Sequence, residues 1–253
     1  MPSTLFAKRA LALAAPVALL LAACGSDTKN ASVSFGEPAE DAVVAGGLAM
    51  TMTADGITIE EAGEVHDGAG HFHVIADDGC VDPGAAVPRD ADHLHFGAGQ
   101  AEGTIYLEPG THTLCLQAGD GAHVALEATD TVSVTVGITD RDQWCSVVGE
   151  IDELFTAADT GGDEFPVRQV AYENVRRLFS QLTDAIDQVD ADARADVADS
   201  IVFGTTIASA FVDAEDADAA EAALQAIFGT EGVQSDGPGA TWILDNCGVD
   251  IDG

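Results

Sequence analysis

The apolar residues of this 253-residue chain change their period near residue 140, and that switch constrains the fold more than any other feature of the sequence. Before it they alternate. Val33 and Phe35, then Leu48, Met50 and Met52, then Ile57 and Ile59, and finally Val132, Val134 and Val136 recur every second residue. Turn-forming pairs separate the runs: Gly46-Gly47, Asp55-Gly56, Asp78-Gly79, Pro83-Gly84, Pro109-Gly110 and Asp120-Gly121. Short alternating runs punctuated in this way predict an antiparallel β-sandwich of immunoglobulin-like type. Beyond the switch, Trp144, Val148, Ile151 and Phe155 fall at steps of three or four residues. A second stripe carries Val167, Val170, Val175, Leu178, Leu182, Ile186 and Val189, with Pro166 where a helix can start. A third carries Val197, Ile201, Ile207 and Phe211, and a fourth, opening among acids at Glu215, carries Ala219, Ala223, Leu224 and Ile227. Four amphipathic segments with acidic links predict an all-α helical bundle. Gly229, Gly232, Gly237 and Gly239 then break the pattern and leave a tail around Trp242 to Cys247. The expected fold class is α+β multidomain: a β-sandwich over residues 35–137 followed by an acidic helical domain over residues 144–253.

The N-terminus reads as an address. Lys8 and Arg9 precede an uncharged apolar run from Ala10 to Ala23. A run of that length suits a signal peptide and falls short of the roughly 20 apolar residues that span a bilayer. It ends Leu21-Ala22-Ala23-Cys24-Gly25-Ser26, which resembles the lipobox at which bacterial lipoproteins are cut and lipidated. The expectation is a signal peptide over residues 1–23, lipid on Cys24, and a tether over residues 24–34. The protein would then be exported and held on the outer face of a membrane through Cys24. The alternative is an ordinary secretory peptide with an incidental cysteine.

Cysteine usage agrees with that compartment. Without Cys24, four cysteines remain: Cys80, Cys115, Cys145 and Cys247. An even number suits an oxidising location. Three pairings are possible, and the split into two halves favours Cys80–Cys115 with Cys145–Cys247. Charge narrows the partners further. Removing residues 1–23 takes two of the 9 Lys and Arg and none of the 44 Asp and Glu, so the charge becomes 7 − 44 = −37. Such a surface repels phosphate, and no nucleic-acid partner is expected.

All seven histidines lie between residues 66 and 123: His66, His71, His73, His93, His95, His112 and His123. Two pairs have the form His-x-His, His71-Phe72-His73 and His93-Leu94-His95. On a strand, residues two apart share a face. Each pair then offers two imidazoles to one side and sends Phe72 and Val74, or Leu94 and Phe96, to the other. Two such strands side by side would gather His71, His73, His93 and His95, with His112 and His123 next in line. Neutral imidazole suits Zn or Cu. Glu64, Asp77 and Asp92 are candidates to add a carboxylate or orient a ring. The opposing interpretation is structural: histidines satisfied by carbonyls and carboxylates, with no cofactor. Met50 and Met52 have the spacing of an inward strand face and are read as core rather than as copper ligands.

Elsewhere the chemistry is sparse. Asp190, Asp192, Asp196 and Asp199 lack the glycine and terminal Glu of a calcium loop. Arg176 and Arg177 have abundant carboxylates to pair with. No nucleophile motif, paired acid and base, or glycine-rich phosphate loop is present, and the chain reads as non-enzymatic.

Residues from about 34 to 136 resemble the bacterial domain family of unknown function DUF4399. The resemblance is carried by Gly70-His71-Phe72-His73-Val74-Ile75-Ala76-Asp77, by His93-Leu94-His95-Phe96-Gly97-Ala98-Gly99-Gln100, and by Leu107-Glu108-Pro109-Gly110-Thr111-His112-Thr113-Leu114 with Gly119-Asp120-Gly121-Ala122-His123 beyond it. It implies an exported β domain and supplies no activity. Cys80 and Cys115 depart from the commoner family pattern, which fits an added disulfide. Three functions are therefore carried forward: a membrane-anchored lipoprotein with a metal-binding histidine face, a structural lipoprotein of the cell envelope that binds a protein partner and, ranked last, a hydrolytic or redox enzyme using a metal with an open position.

Overall fold

The computed structural model describes residues 31–160, 164–229 and 237–250. The segment read as a signal peptide, Cys24 and the segment read as a tether, as far as residue 30, lie outside the described residues. Strand β1 (Ser32–Glu37) begins inside the segment read as tether, because Val33 is buried in the core. The remaining strands are β2 (Ala42–Val44), β3 (Leu48–Asp55), β4 (Thr58–Ile59), β5 (Ala69–Ala76), β6 (His93–Phe96), β7 (Glu102–Ile105), β8 (Gly110–Gly119) and β9 (Ala125–Val136).

Two sheets form. One has the order β1-β3-β7; the other runs β2-β9-β8-β5-β4, with β6 also paired to β5. Their inner faces share one core, to which Val33, Leu48, Met50, Met52 and Ile105 contribute from the smaller sheet and Phe72, Val74, Leu114, Leu116, Val132 and Val134 from the larger. Met50 and Met52 are thus core residues, as their alternation with exposed neighbours implied. The sandwich departs from the purely antiparallel expectation in two places, since the short β2 and β4 pair parallel to β9 and β5.

The larger sheet is covered on its outer face too, and this places the site. All eight residues of β5 are buried, so both faces of that strand are packed. The outward set is His71, His73 and Ile75, which oppose Gly119, Gln117 and Cys115 of β8. Over them lies the connection between β5 and β6. The Cys80–Cys115 disulfide pins its start. Gln117, fully buried, accepts from the Val81 amide at 2.9 Å and donates to the Val81 and Leu126 carbonyls at 2.8 and 3.0 Å. Farther along, Ala86 bridges Val124, and the Val87 amide donates to the His123 carbonyl at 2.9 Å.

The second half contains helices α1 (Arg141–Thr160), α2 (Phe165–Asp184), α3 (Arg194–Val212), α4 (Ala217–Phe228) and α5 (Pro238–Cys247). Trp144, Tyr172, Val175, Leu178, Leu182, Val197, Ile201 and Phe211 form their core. Three expectations are corrected. The tail is a fifth helix: Pro238 starts it, Ile243 is buried, and Gly248 ends it in the left-handed conformation with φ 71°. The second stripe stops short, α2 ending at Asp184 and a 3₁₀ turn covering Ile186–Gln188. Val167 and Val170, read as part of its apolar face, are exposed. Side-chain caps start α1 and α4: Asp140 accepts from the Gln143 amide and Asp216 from the Ala219 amide, each at 2.9 Å. The Cys145–Cys247 disulfide ties α1 to α5 across 102 residues. Closing a loop of that size removes denatured-state entropy equivalent to about 4–5 kcal/mol.

The two halves pack together at the turn before β3. Gln181 of α2, fully buried, accepts from the Gly46 amide at 2.8 Å and donates to the Gly46 and Leu107 carbonyls at 3.2 Å each. Arg177 donates to the Tyr106 carbonyl at 2.6 Å, and Glu150 accepts from the Gly47 amide at 3.0 Å. A Cβ on Gly47 would lie 2.9 Å from the Tyr106 ring, so the close approach requires glycine there.

Candidate metal centre

His71 and His73 stand on the outer side of β5, with His95 of β6 opposite His73. The alternation inferred from the sequence holds, since Phe72, Val74 and Phe96 enter the sandwich core. The fourth imidazole comes from a turn rather than a strand. Asp120 accepts from the amides of Ala122 and Val124, each at 2.9 Å, and the His123 amide donates to the Asp120 carbonyl at 2.9 Å. The turn holds His123 at φ 64°, a left-handed conformation uncommon for residues other than glycine.

These four rings form one cluster. All six ring-to-ring distances lie between 4.6 Å (His95 to His123) and 5.8 Å (His73 to His123). The Nε2 atoms of His71 and His73 are 2.9 Å apart, and those of His95 and His123 are 3.0 Å apart. One nitrogen from each of His71, His95 and His123 can be chosen so that all three lie within 4.8 Å of one another. The cluster has a floor and a mouth: His71 and His73 are buried, His123 is half-buried, and His95 is exposed.

Local glycines make room for the rings. A Cβ on Gly119 would lie 2.9 Å from His73 Nε2, and one on Gly97 would collide with Cε1 and Nε2 of His95. Neither glycine has a positive φ, so ring proximity rather than backbone conformation demands them.

The electrostatics keep the floor neutral. Burial, then the neighbouring imidazoles of His95 and His123, lowers the His71 pKa to about 4. Burial, then His71, His95, His123 and His93, lowers that of His73 to about 3. His95 is shifted down for the same first reason, with His123 and Arg89 adding to it. Deprotonated imidazole is the form that binds a metal. The Nδ1 atoms of both His71 and His73 are buried without a hydrogen-bond partner. An unpartnered buried polar atom costs about 1–3 kcal/mol, so the pair is an uneconomical way merely to fill space.

Two expected ligands stand elsewhere. His93 opposes Ile75 rather than an imidazole, two residues along the strand from His95. Its Nδ1 is 2.6 Å from Asp90. His112 shares the parity of Leu114 and Leu116, so it projects from the opposite face of β8. There Asp77 lies 2.7 Å from its Nδ1, and its Nε2 donates to the Glu108 carbonyl at 2.8 Å. His66 is exposed, 2.7 Å from Glu60, whose carboxylate raises its pKa. Glu64 and Asp77 are likewise engaged away from the cluster. The structure promotes His123 from a secondary candidate to a member. The one signal for this was the Asp120-Gly121 turn two residues before it, and nothing in its spacing from His71 or His95 marks the convergence.

A family model described as "Domain of unknown function (DUF4399)" matches residues 50–137, a range that contains all four clustered histidines. No curated protein matches the chain. Among solved structures, the fibronectin(III)-like modules of Clostridium thermocellum CbhA are similar at 18% identity, over 41% of this chain and 94% of that one, with a TM-score of 0.26.

Proposed function

We propose that this protein is an exported lipoprotein, anchored through Cys24, whose β domain binds one divalent transition-metal ion through His71, His73, His95 and His123. The observation that carries the reading is the convergence of four imidazoles from two strands and a turn, with all ring distances at or below 5.8 Å and the Nε2 atoms facing one another in two pairs. Facing Nε2 atoms share at most one proton between them, whereas a cation placed between them engages both lone pairs. Tetrahedral coordination at about 2.0–2.1 Å sets nitrogens roughly 3.3–3.4 Å apart. The facing pairs, at 2.9 and 3.0 Å, would open by only a few tenths of an ångström. An all-imidazole donor set suits Zn²⁺ or Cu²⁺ and offers nothing to hard cations such as Ca²⁺. Two disulfides agree with an oxidising compartment outside the cytoplasm.

The competing structural reading describes three of the seven histidines well, because His66, His93 and His112 each meet a carboxylate. It accounts poorly for the other four, which meet mainly one another. Elemental analysis of protein purified from its native envelope tests the proposal. About one Zn or Cu per chain, retained through dialysis and lost on replacing all four residues by alanine, is the expected result. Unchanged stoichiometry in that variant rejects the site. Mass spectrometry of the mature N-terminus tests the anchor, with diacylglycerol on Cys24 expected.

A further inference from the structure

Arg89 is the sole lysine or arginine among residues 31–137, a stretch otherwise crowded with Asp and Glu. It stands at the histidine cluster. Its Nη2 lies 3.4 Å from Nδ1 and 3.5 Å from Nε2 of His123. Nearly equidistant from the two ring nitrogens, that donor is aimed well at neither. Among the described residues no carboxylate pairs with Arg89, whereas Arg141 and Arg176 both find one. An arginine in so acidic a domain has many carboxylates to choose from, and this one lies instead beside the exposed end of the imidazoles. It stands on the open side of the cluster, since His95 and Arg89 are exposed while His71 and His73 are buried.

A guanidinium beside a cation site opposes the bare ion, and the combination becomes favourable when an anion lies between them. We infer that the metal centre takes a small free anion, a carboxylate or an inorganic monoanion, as an additional ligand on its solvent side, and that Arg89 holds the far end of that anion. This rests on the metal reading above. The buried floor supplies permanent ligands from His71 and His73, while the His95–His123 side leaves an approach for an exchangeable one. Guanidinium supplies paired N–H donors that fit a carboxylate edge or a linear triatomic anion. The module then recognises an anion jointly through metal and arginine, which neither would hold firmly alone.

The test uses the full exported protein loaded with one equivalent of Cu²⁺ and titrated with azide, then with acetate as competitor. A saturable azide-to-copper charge-transfer band is expected, and acetate should suppress it. Arg89→Gln should weaken azide binding about tenfold, the loss of one charge-assisted contact, while its copper affinity stays equal or rises. Arg89→Lys should restore part of the anion affinity. Absence of the band at high azide overturns the anion as a fifth ligand. An equal azide affinity in Arg89→Gln overturns the role of Arg89, and so does a loss of copper affinity in that variant, which would make Arg89 a prop for His123. Failure of the wild type to bind copper or zinc at all would instead sink the metal reading itself, so the two failures are distinguishable.

Discussion

Strands β5 and β6 carry the same His-x-His motif in adjacent, antiparallel register, yet β5 delivers both of its rings to the cluster and β6 delivers one. The difference lies in what faces each strand. His73 looks across to His95, while Ile75 looks across to His93. Antiparallel pairing with the observed offset brings only one member of each motif level with the other. His71 gains a third neighbour from the turn at His123, centroids 4.9 Å apart, and His93 is taken by Asp90 at 2.6 Å. One shared motif thus produces two ring environments, one of buried imidazoles lacking carboxylates and one of a carboxylate-bound imidazole. A motif specifies which face a side chain takes; register specifies whom it meets there.

The contrast is broken most directly by removing the rings themselves. His71→Ala with His73→Ala should lower Zn²⁺ or Cu²⁺ affinity by more than about 100-fold, while His93→Ala should change it by less than about threefold, as judged by competition with a chromophoric chelator. Equal losses from both strands would mean that β6 contributes two ligands after all.

A second measurement sharpens the difference in burial. In metal-free protein the folded-state pKa values of His71 and His73 lie at about 4 and about 3, below the ordinary value near 6.5 of an unfolded chain. The unfolded state therefore takes up protons first. The stability conferred by burying these rings neutral is complete above about pH 6.5, and it is lost progressively as pH falls through the folded values. Urea unfolding of the chelator-treated protein should show a loss of a few kcal/mol between about pH 7 and 4.5. His73→Gln should flatten that slope; a slope unchanged by it would remove the buried floor from the account.

The smallest change is a single methyl group beside β6. Gly97→Ala keeps an allowed backbone but collides with the His95 ring, which must swing away. Metal affinity should fall about tenfold with little change in the melting temperature of the metal-free protein, a split that isolates ring placement from folding. An unaffected affinity would indicate that His95 is dispensable.

Much of the fold was legible because it depends on local periodicity. Alternating Leu48, Met50 and Met52 can bury one face only as a strand, and the step of three or four residues from Trp144 to Phe155 can do so only as a helix. The two disulfides followed from the same division. Val167 and Val170 misled because a stripe records which residues share a face, not how far the neighbouring helix extends along it. The fifth helix was hidden by glycines that do not break it, since Gly237 caps its start and Gly239 lies within its first turn.

The sequence by itself determined that His71 and His73 share a face, that His95 projects with His93, and that the domain is acidic apart from Arg89. These follow from strand geometry and composition, which need no distant neighbour. Tertiary structure alone decided that His95 meets His73, that His93 and His112 go to carboxylates, and that His123 and Arg89 arrive at the same place. Those outcomes depend on the offset between strands and on a covering loop fixed by Cys80, Cys115 and Gln117, contacts made between residues far apart in the chain. Separation along a chain does not encode distance in space until packing closes the loops between.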